Sequence, residues 1–62
     1  MEDILKEIHD KDPASRVEFS SLNKNKVLCW ICYKDGKKIL SGCESGKNHK
    51  EALENTMNNV KE

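Results

Sequence analysis

The segment VLCWICY, residues 27–33, constrains the fold more than any other stretch of the chain. It is rich in β-branched and aromatic residues, which favour strands, and both of its alternating sets of positions are apolar. A strand of this kind is typical of the centre of a sheet. We therefore expect residues 27–33 to form the central strand of an antiparallel sheet, with one face packed against helices.

The segments beside this strand predict two further strands. KDGKK, residues 34–38, contains an Asp-Gly step between two strand patterns, which is a strong signal for a hairpin. ILSGC, residues 39–43, is then expected to return antiparallel to the central strand. RVEFSSL, residues 16–22, alternates apolar and polar residues over its first half and predicts the first strand. The polar sequence NKNK, residues 23–26, is expected to be the turn between the first two strands.

A helix is predicted before the three strands, over residues 2–11. Its apolar positions lie on one helical face and are Ile4, Leu5 and Ile8. Asp3 is the expected N-cap. Pro13 ends this helix, because the residue before a proline is pushed out of the α region.

A second helix is predicted after the strands. Asn48 is its expected N-cap, and Glu51 follows three residues later, which is the spacing of a capping box. The face expected to be buried contains Ala52, Leu53, Thr56, Met57 and Val60. The order of elements is therefore α–β–β–β–α, and we expect one α+β domain over residues 1–62: a two-layer sandwich with both helices on one face of a three-stranded antiparallel sheet.

Composition limits what so small a domain can do. A chain of 62 residues is near the lower limit for an unaided core, which argues against a deep catalytic pocket. No apolar run reaches the roughly 20 residues of a membrane span, and no signal-peptide pattern is present. Three cysteines make a poor disulfide framework. These features lead us to expect a non-membrane, intracellular protein, most simply a cytoplasmic one.

The charges are unevenly distributed although the formal net charge is zero. Residues 23–50 hold seven lysines against Asp35 and Glu44, and acidic residues predominate on both sides. Lys47, His49 and Lys50 gather at the predicted start of the second helix, where the helix dipole is positive and favours anions. This accumulation of cations predicts an anionic ligand. The alternative is a set of solvated turn lysines, which is our interpretation of Lys37 and Lys38.

The order and length of the elements resemble the double-stranded RNA-binding domain family. GKNHKEAL, residues 46–53, is similar to the family's signature of Gly, a spacer, Ser, two lysines, a spacer, Ala and Lys. ILKEI, residues 4–8, resembles the family's LLNEL, and VEFSSL resembles its P-x-Y strand. The sequence departs from the family at His49, at Leu53 and in the loop 23–26, which lacks the usual Gly-Pro-x-His element.

The resemblance implies non-catalytic, sequence-independent binding of double-stranded RNA without a cofactor. Duplex RNA is recognised by shape, through 2′-hydroxyls in two minor grooves and the phosphates between them. Glu7 corresponds to the family's glutamate in one minor groove, and the loop 23–26 would enter the next. The implied contact residues are Glu7, Lys24, Asn25, Lys26, Lys47, Asn48, His49 and Lys50. Free-standing viral domains similar to this one hide RNA from host sensors, so the resemblance also implies sequestration of RNA.

Two other functions are compatible with the sequence. Cys29 and Cys32 have the C-x₂-C spacing of a zinc site, which Cys43 and His49 would complete as a Cys₃His set. Against this, residues 29 and 32 of a strand point to opposite faces.

The other alternative is a protein-interaction or homodimerisation module on the same fold. Its evidence is Leu53, at a position that is normally basic and exposed, together with Trp30 or Leu28 on the free sheet face. No serine or cysteine has an evident base and orienting partner, so we expect a binding protein and not an enzyme.

Overall fold

The computed structural model describes residues 2–62 and confirms the α–β–β–β–α fold. The elements are α1 (Glu2–Lys11), β1 (Arg16–Asn23), β2 (Lys26–Asp35), β3 (Lys38–Gly46) and α2 (His49–Asn58). The strands form one antiparallel sheet in the order β1-β2-β3, so the apolar segment lies in the central strand as predicted. No helix within residues 2–62 is long and apolar enough to cross a membrane.

The end of α1 is fixed by Asp12. Its backbone N–H donates to the Ile8 carbonyl at 2.9 Å and so completes the last turn of the helix. One carboxylate oxygen accepts from the Ala14 N–H at 3.0 Å, and the other accepts from the Lys34 N–H of β2 at 2.9 Å. Asp12 therefore ties the helix end to the central strand. The prediction of Asp3 as the N-cap is wrong, because Asp3 lies inside the first turn of α1.

Burial alternates along β2 and defines the two faces of the sheet. Val27, Cys29, Ile31 and Tyr33 are buried, whereas the intervening Leu28 and Cys32 are half-buried and Trp30 is exposed. The buried set packs with Ile8 of α1 and with Ala52 and Leu53 of α2. Both helices therefore cover one face, which we call the helix face. The opposite face, which we call the open face, is not covered by any residue of the described chain.

Two short hairpins set the register of the strands. In the β2–β3 hairpin Asp35 pairs with Lys38, and the first loop residue, Gly36, has a φ of 66°. A side chain there would meet the strain of the left-handed region, which explains the glycine of the Asp-Gly step. In the β1–β2 hairpin the Asn23 side chain accepts from the Asn25 N–H at 2.9 Å, which forms an Asx turn. A bulge leaves Leu22 unpaired.

Three of the five residues predicted to be buried on the second helix are buried, whereas Met57 is half-buried and the half-buried Val60 lies beyond the end of α2. The burial of Leu53 corrects one of the sequence interpretations. Ala52, Leu53 and Thr56 are all completely inaccessible to solvent. Leu53 is therefore a core residue, and it offers no exposed apolar site for a partner. Among residues 2–62, Thr56 is the only buried polar or charged residue. Its hydroxyl is within hydrogen-bonding distance of the Ala52 carbonyl at 2.7 Å, so it is satisfied within its own helix.

Candidate nucleic-acid interface

The start of α2 is built by Asn48, as the sequence predicted. Asn48 has extended backbone angles, and its side-chain oxygen accepts from the Glu51 N–H at 2.9 Å. The Glu51 carboxylate accepts in return from the Lys47 N–H at 3.3 Å, one residue earlier than in an ordinary capping box. These two hydrogen bonds stabilise the first turn of α2. The N–H groups of His49 and Lys50 have no partner within the helix.

Gly46 brings the end of β3 against this helix start. A Cβ atom at Gly46 would lie 2.5 Å from the Ala52 nitrogen and 2.7 Å from the Glu51 carbonyl carbon. Both are backbone atoms, so the turn from β3 into α2 is this tight only because residue 46 lacks a side chain. The close approach was not predicted from the residues. A glycine two residues before a predicted N-cap is the signal that would have pointed to it.

Lys47 and Lys50 lie beside this helix start and are both exposed. Neither forms an ion pair with any residue in the range 2–62. Two ammonium groups, the free N–H groups of the first turn and the positive end of the helix dipole therefore occur together. The arrangement is suited to an anion such as a phosphate oxygen, because every one of these groups favours negative charge.

The β1–β2 loop lies at the same end of the sheet as the start of α2. Asn23 pairs with Lys26 at the end of this hairpin, and the next residue, Val27, pairs with Gly46. Only Lys47 separates Gly46 from the N-cap of α2. The structure thus brings the predicted loop contacts and the predicted helix-start contacts to one end of the molecule, where Lys24 and Lys26 are also exposed and without ion pairs in the described chain.

His49 has a different environment from the two lysines. Its ring lies 4.8 Å from the ring of Phe19, centroid to centroid, with an angle of 51° between the planes. Phe19 belongs to the helix face of β1, so this contact links the start of α2 to the first strand. His49 is exposed, but the ring of Phe19 orients its imidazole. The sequence did not indicate this contact.

Glu7 lies away from the other predicted contacts. It is on an exposed part of α1, and its carboxylate is 3.8 Å from the Lys11 ammonium, which is also 3.6 Å from Asp35. Asp35 ends β2 at the β2–β3 hairpin, so this ion-pair group sits toward the opposite end of the sheet from the loop 23–26. The predicted residues therefore form two separate regions: one at the helix start and loop, and one on α1.

The four residues of the predicted zinc set are not brought together. Cys29 is buried on the helix face, Cys32 and Cys43 lie on the open face, and His49 is at the start of α2. No group of three or more metal-binding side chains occurs within residues 2–62. Burial raises the pKa of the Cys29 thiol, an effect that a hydrogen bond with Thr56 partly opposes and that the neighbouring Cys43 slightly increases. Cys29 is therefore a neutral core side chain at physiological pH.

Comparison of the chain with protein-family models, with curated proteins and with solved structures finds no match in any of the three.

Proposed function

We propose that the protein binds double-stranded RNA without sequence preference and without catalysis. The observation that carries the proposal is the concentration of lysines without ion pairs around the start of α2. Lys47 and Lys50 flank the free N–H groups of the first turn, and Lys24 and Lys26 lie at the same end of the sheet. A phosphate backbone is the extended anionic ligand that such a cluster would hold.

The separation of Glu7 from this cluster supports a duplex of A-form geometry as the ligand. A protein that reads such a duplex by shape must meet two minor grooves on either side of a line of phosphates. The chain measures 37 × 21 × 16 Å along its principal axes, so contact regions at different places along it can reach different grooves. In the proposed complex the Glu7 carboxylate accepts hydrogen bonds from 2′-hydroxyl groups, which DNA lacks.

The proposed complex depends strongly on salt because its attraction comes mainly from four lysines. Neutralising about four phosphates gives a slope of roughly −3.6 in log K against log salt, by the value for double-stranded DNA. Because the formal net charge of the chain is zero, this local cluster and not the whole protein supplies the attraction. We propose that the result of binding is to shield the duplex from other proteins, in the cytoplasm as the simplest location.

The test is a titration of the protein with an RNA duplex, the matching DNA duplex and a single strand at two salt concentrations. We expect salt-sensitive binding that is confined to the RNA duplex. Lys50→Ala should weaken this binding by about eightfold at roughly 0.1 M salt, which is the counterion-release value of one phosphate contact. It should also reduce the salt slope by about one unit.

Lys37→Ala is the matched control. Lys37 is an exposed lysine in the β2–β3 turn, at the other end of the sheet, and it forms no ion pair within residues 2–62. Its removal changes the net charge by the same amount, so a purely global charge effect would weaken binding equally in both variants. Equal losses, or binding to the DNA duplex as strong as to RNA, would contradict the proposal.

A further inference from the structure

The open face of the sheet carries an apolar surface that the RNA proposal does not use. Its exposed large apolar members are Trp30, with 36% of its surface accessible, and Ile39, with 59%. Leu28 and Cys32 alternate with the buried residues of β2 and so lie on this same face. Cys43 of β3 pairs with Trp30 of β2 and therefore lies there too. Lys34, which pairs with Ile39, and Ser41, which pairs with Cys32, interrupt these apolar residues on the same face. Exposed apolar residues grouped on one face of a small protein are typical of an interaction site.

Two opposite charges lie at the β1 side of this apolar surface. Arg16 pairs with Cys32 and Glu18 pairs with Trp30, so both side chains belong to the open face. Neither forms an ion pair with any side chain of residues 2–62. A cation and an anion two residues apart along one strand form a self-complementary pattern. An antiparallel copy of the same strand would present Glu18 to Arg16 and Arg16 to Glu18.

The surface near these charges is also concave. Arg16, Cys32, Lys34 and Ile39 contribute to the lining of an open cavity of about 280 Å³, which is mostly apolar. If a two-fold axis crosses the strands at the level of Ile31, which is paired with Val17, Trp30 of one copy lies over Cys32 of the other. The indole then covers this cavity, and the two Arg16–Glu18 pairs form at the same time.

We propose that the open face binds a second copy of the chain, sheet against sheet, in a two-fold symmetric dimer. Such an interface is isologous, so one set of residues supplies both halves of each contact. Three strands about 4.8 Å apart and about six residues long give a footprint of only roughly 300 Å² per copy. The two copies together contribute only about 600 Å², which is below the roughly 1,200 Å² of standard specific interfaces, and we therefore expect a weak, transient dimer that forms only at high micromolar concentrations or above.

The dimer adds to the proposed function without depending on it. Both helices lie on the other side of the sheet, so the start of α2 and the exposed surface of α1 remain uncovered in each copy. The dimer would carry two RNA-binding surfaces on opposite sides. Dimerisation is measured in the absence of RNA, so its failure and a failure of RNA binding are independent results.

The experiment is sedimentation equilibrium of the intact 7.1 kDa chain between about 5 µM and about 1 mM, a range that spans weak dimers. The emission of Trp30, the only tryptophan, reports whether the open face becomes buried as concentration rises. We expect a monomer–dimer equilibrium with a blue shift of this emission. A monomeric mass throughout the range would overturn the proposal, and so would assembly beyond a dimer.

Charge reversal tests the geometry of the dimer. Arg16→Glu and Glu18→Arg should each weaken association by about tenfold or more, because each places like charges opposite one another twice in the symmetric interface. The double variant with both changes should restore association. Lys37→Glu, a reversal of one charge in the β2–β3 turn, is the control and should have no effect. Circular dichroism verifies the fold of each variant. Unchanged association in the single reversals, or no recovery in the double variant, would overturn the proposed pairing.

Discussion

Replacement of Gly46 by alanine tests whether the tight turn from β3 into α2 controls the stability of the domain. The new methyl group would lie 2.5 Å from the Ala52 nitrogen, 2.7 Å from the Glu51 carbonyl carbon and 3.0 Å from the Ala52 Cα. All three are backbone atoms of the first helical turn. No side-chain rotation can relieve these contacts, so α2 or the end of β3 must move.

The magnitude follows from three contributions. Overpacking of this kind costs about 1–3 kcal/mol. Displacement of the first turn from Asn48 weakens the N-cap, which is worth about 1 kcal/mol. Alanine lowers the conformational entropy of the unfolded chain, which offsets about 0.4–1 kcal/mol of this loss. The expected loss is therefore about 1–3.6 kcal/mol, against a total of roughly 3–9 kcal/mol for a domain of 62 residues.

Chemical denaturation measures the free energy of unfolding of Gly46→Ala. Gly36→Ala, the same substitution at an uncrowded position, is the control. Gly36 has open space around its Cα but a positive φ of 66°, so alanine there is strained and not crowded. The left-handed conformation costs about 1–2 kcal/mol. The lower conformational freedom of alanine in the unfolded chain offsets about 0.4–1 kcal/mol of this cost, which leaves a loss of about 0–1.6 kcal/mol. A loss for Gly46→Ala no larger than that for Gly36→Ala would refute the crowding argument.

Two further predictions concern buried groups of the core. Thr56→Val should destabilise the domain by about 1 kcal/mol, because it removes the hydroxyl that lies 2.7 Å from the Ala52 carbonyl and retains most of the volume; denaturant unfolding measures this. Burial raises the pKa of the Cys29 thiol above its ordinary value of 9.0. The folded state therefore holds this proton more tightly than the unfolded state, and stability should fall as the pH rises above about 9. Cys29→Ala should lose this part of the pH dependence, and a fall of the same size in that variant would contradict the assignment to Cys29.

The fold was predictable because its signals are local and agree with one another. The alternation of β2, the Asp-Gly hairpin and the cap at Asn48 each depend on a few neighbouring residues, and all three are confirmed. The extent of β3 was not predictable in this way. Residues 44–46 look like a polar loop, yet they continue the strand because Val27, Leu28 and Cys29 of β2 provide partners for them.

The candidate site was less predictable, because it depends on the distances between elements. Leu53 shows the difference: its place in the apolar pattern of α2 indicated burial, whereas its correspondence to a basic position of a known family suggested exposure. The structure follows the pattern. The contact of Phe19 with His49 and the close approach of Gly46 to Ala52 each join residues of different elements. No local pattern encodes such contacts, so only the structure revealed them.

Asn48 allows the structural and the binding roles of the helix start to be separated. Aspartate is as good an N-cap as asparagine, and a negative charge at a helix N-terminus is favourable, more so beside Lys47 and Lys50. Asn48→Asp should therefore keep or slightly raise stability in denaturant unfolding. The same charge would lie among the proposed phosphate contacts, and it should weaken duplex RNA binding by about as much as the loss of one lysine, roughly eightfold at 0.1 M salt. Asn48→Ala should show the reverse: a stability loss of about 1 kcal/mol with an unchanged salt slope. If Asn48→Asp is as stable as the natural chain and binds RNA equally well, no phosphate lies at the start of α2.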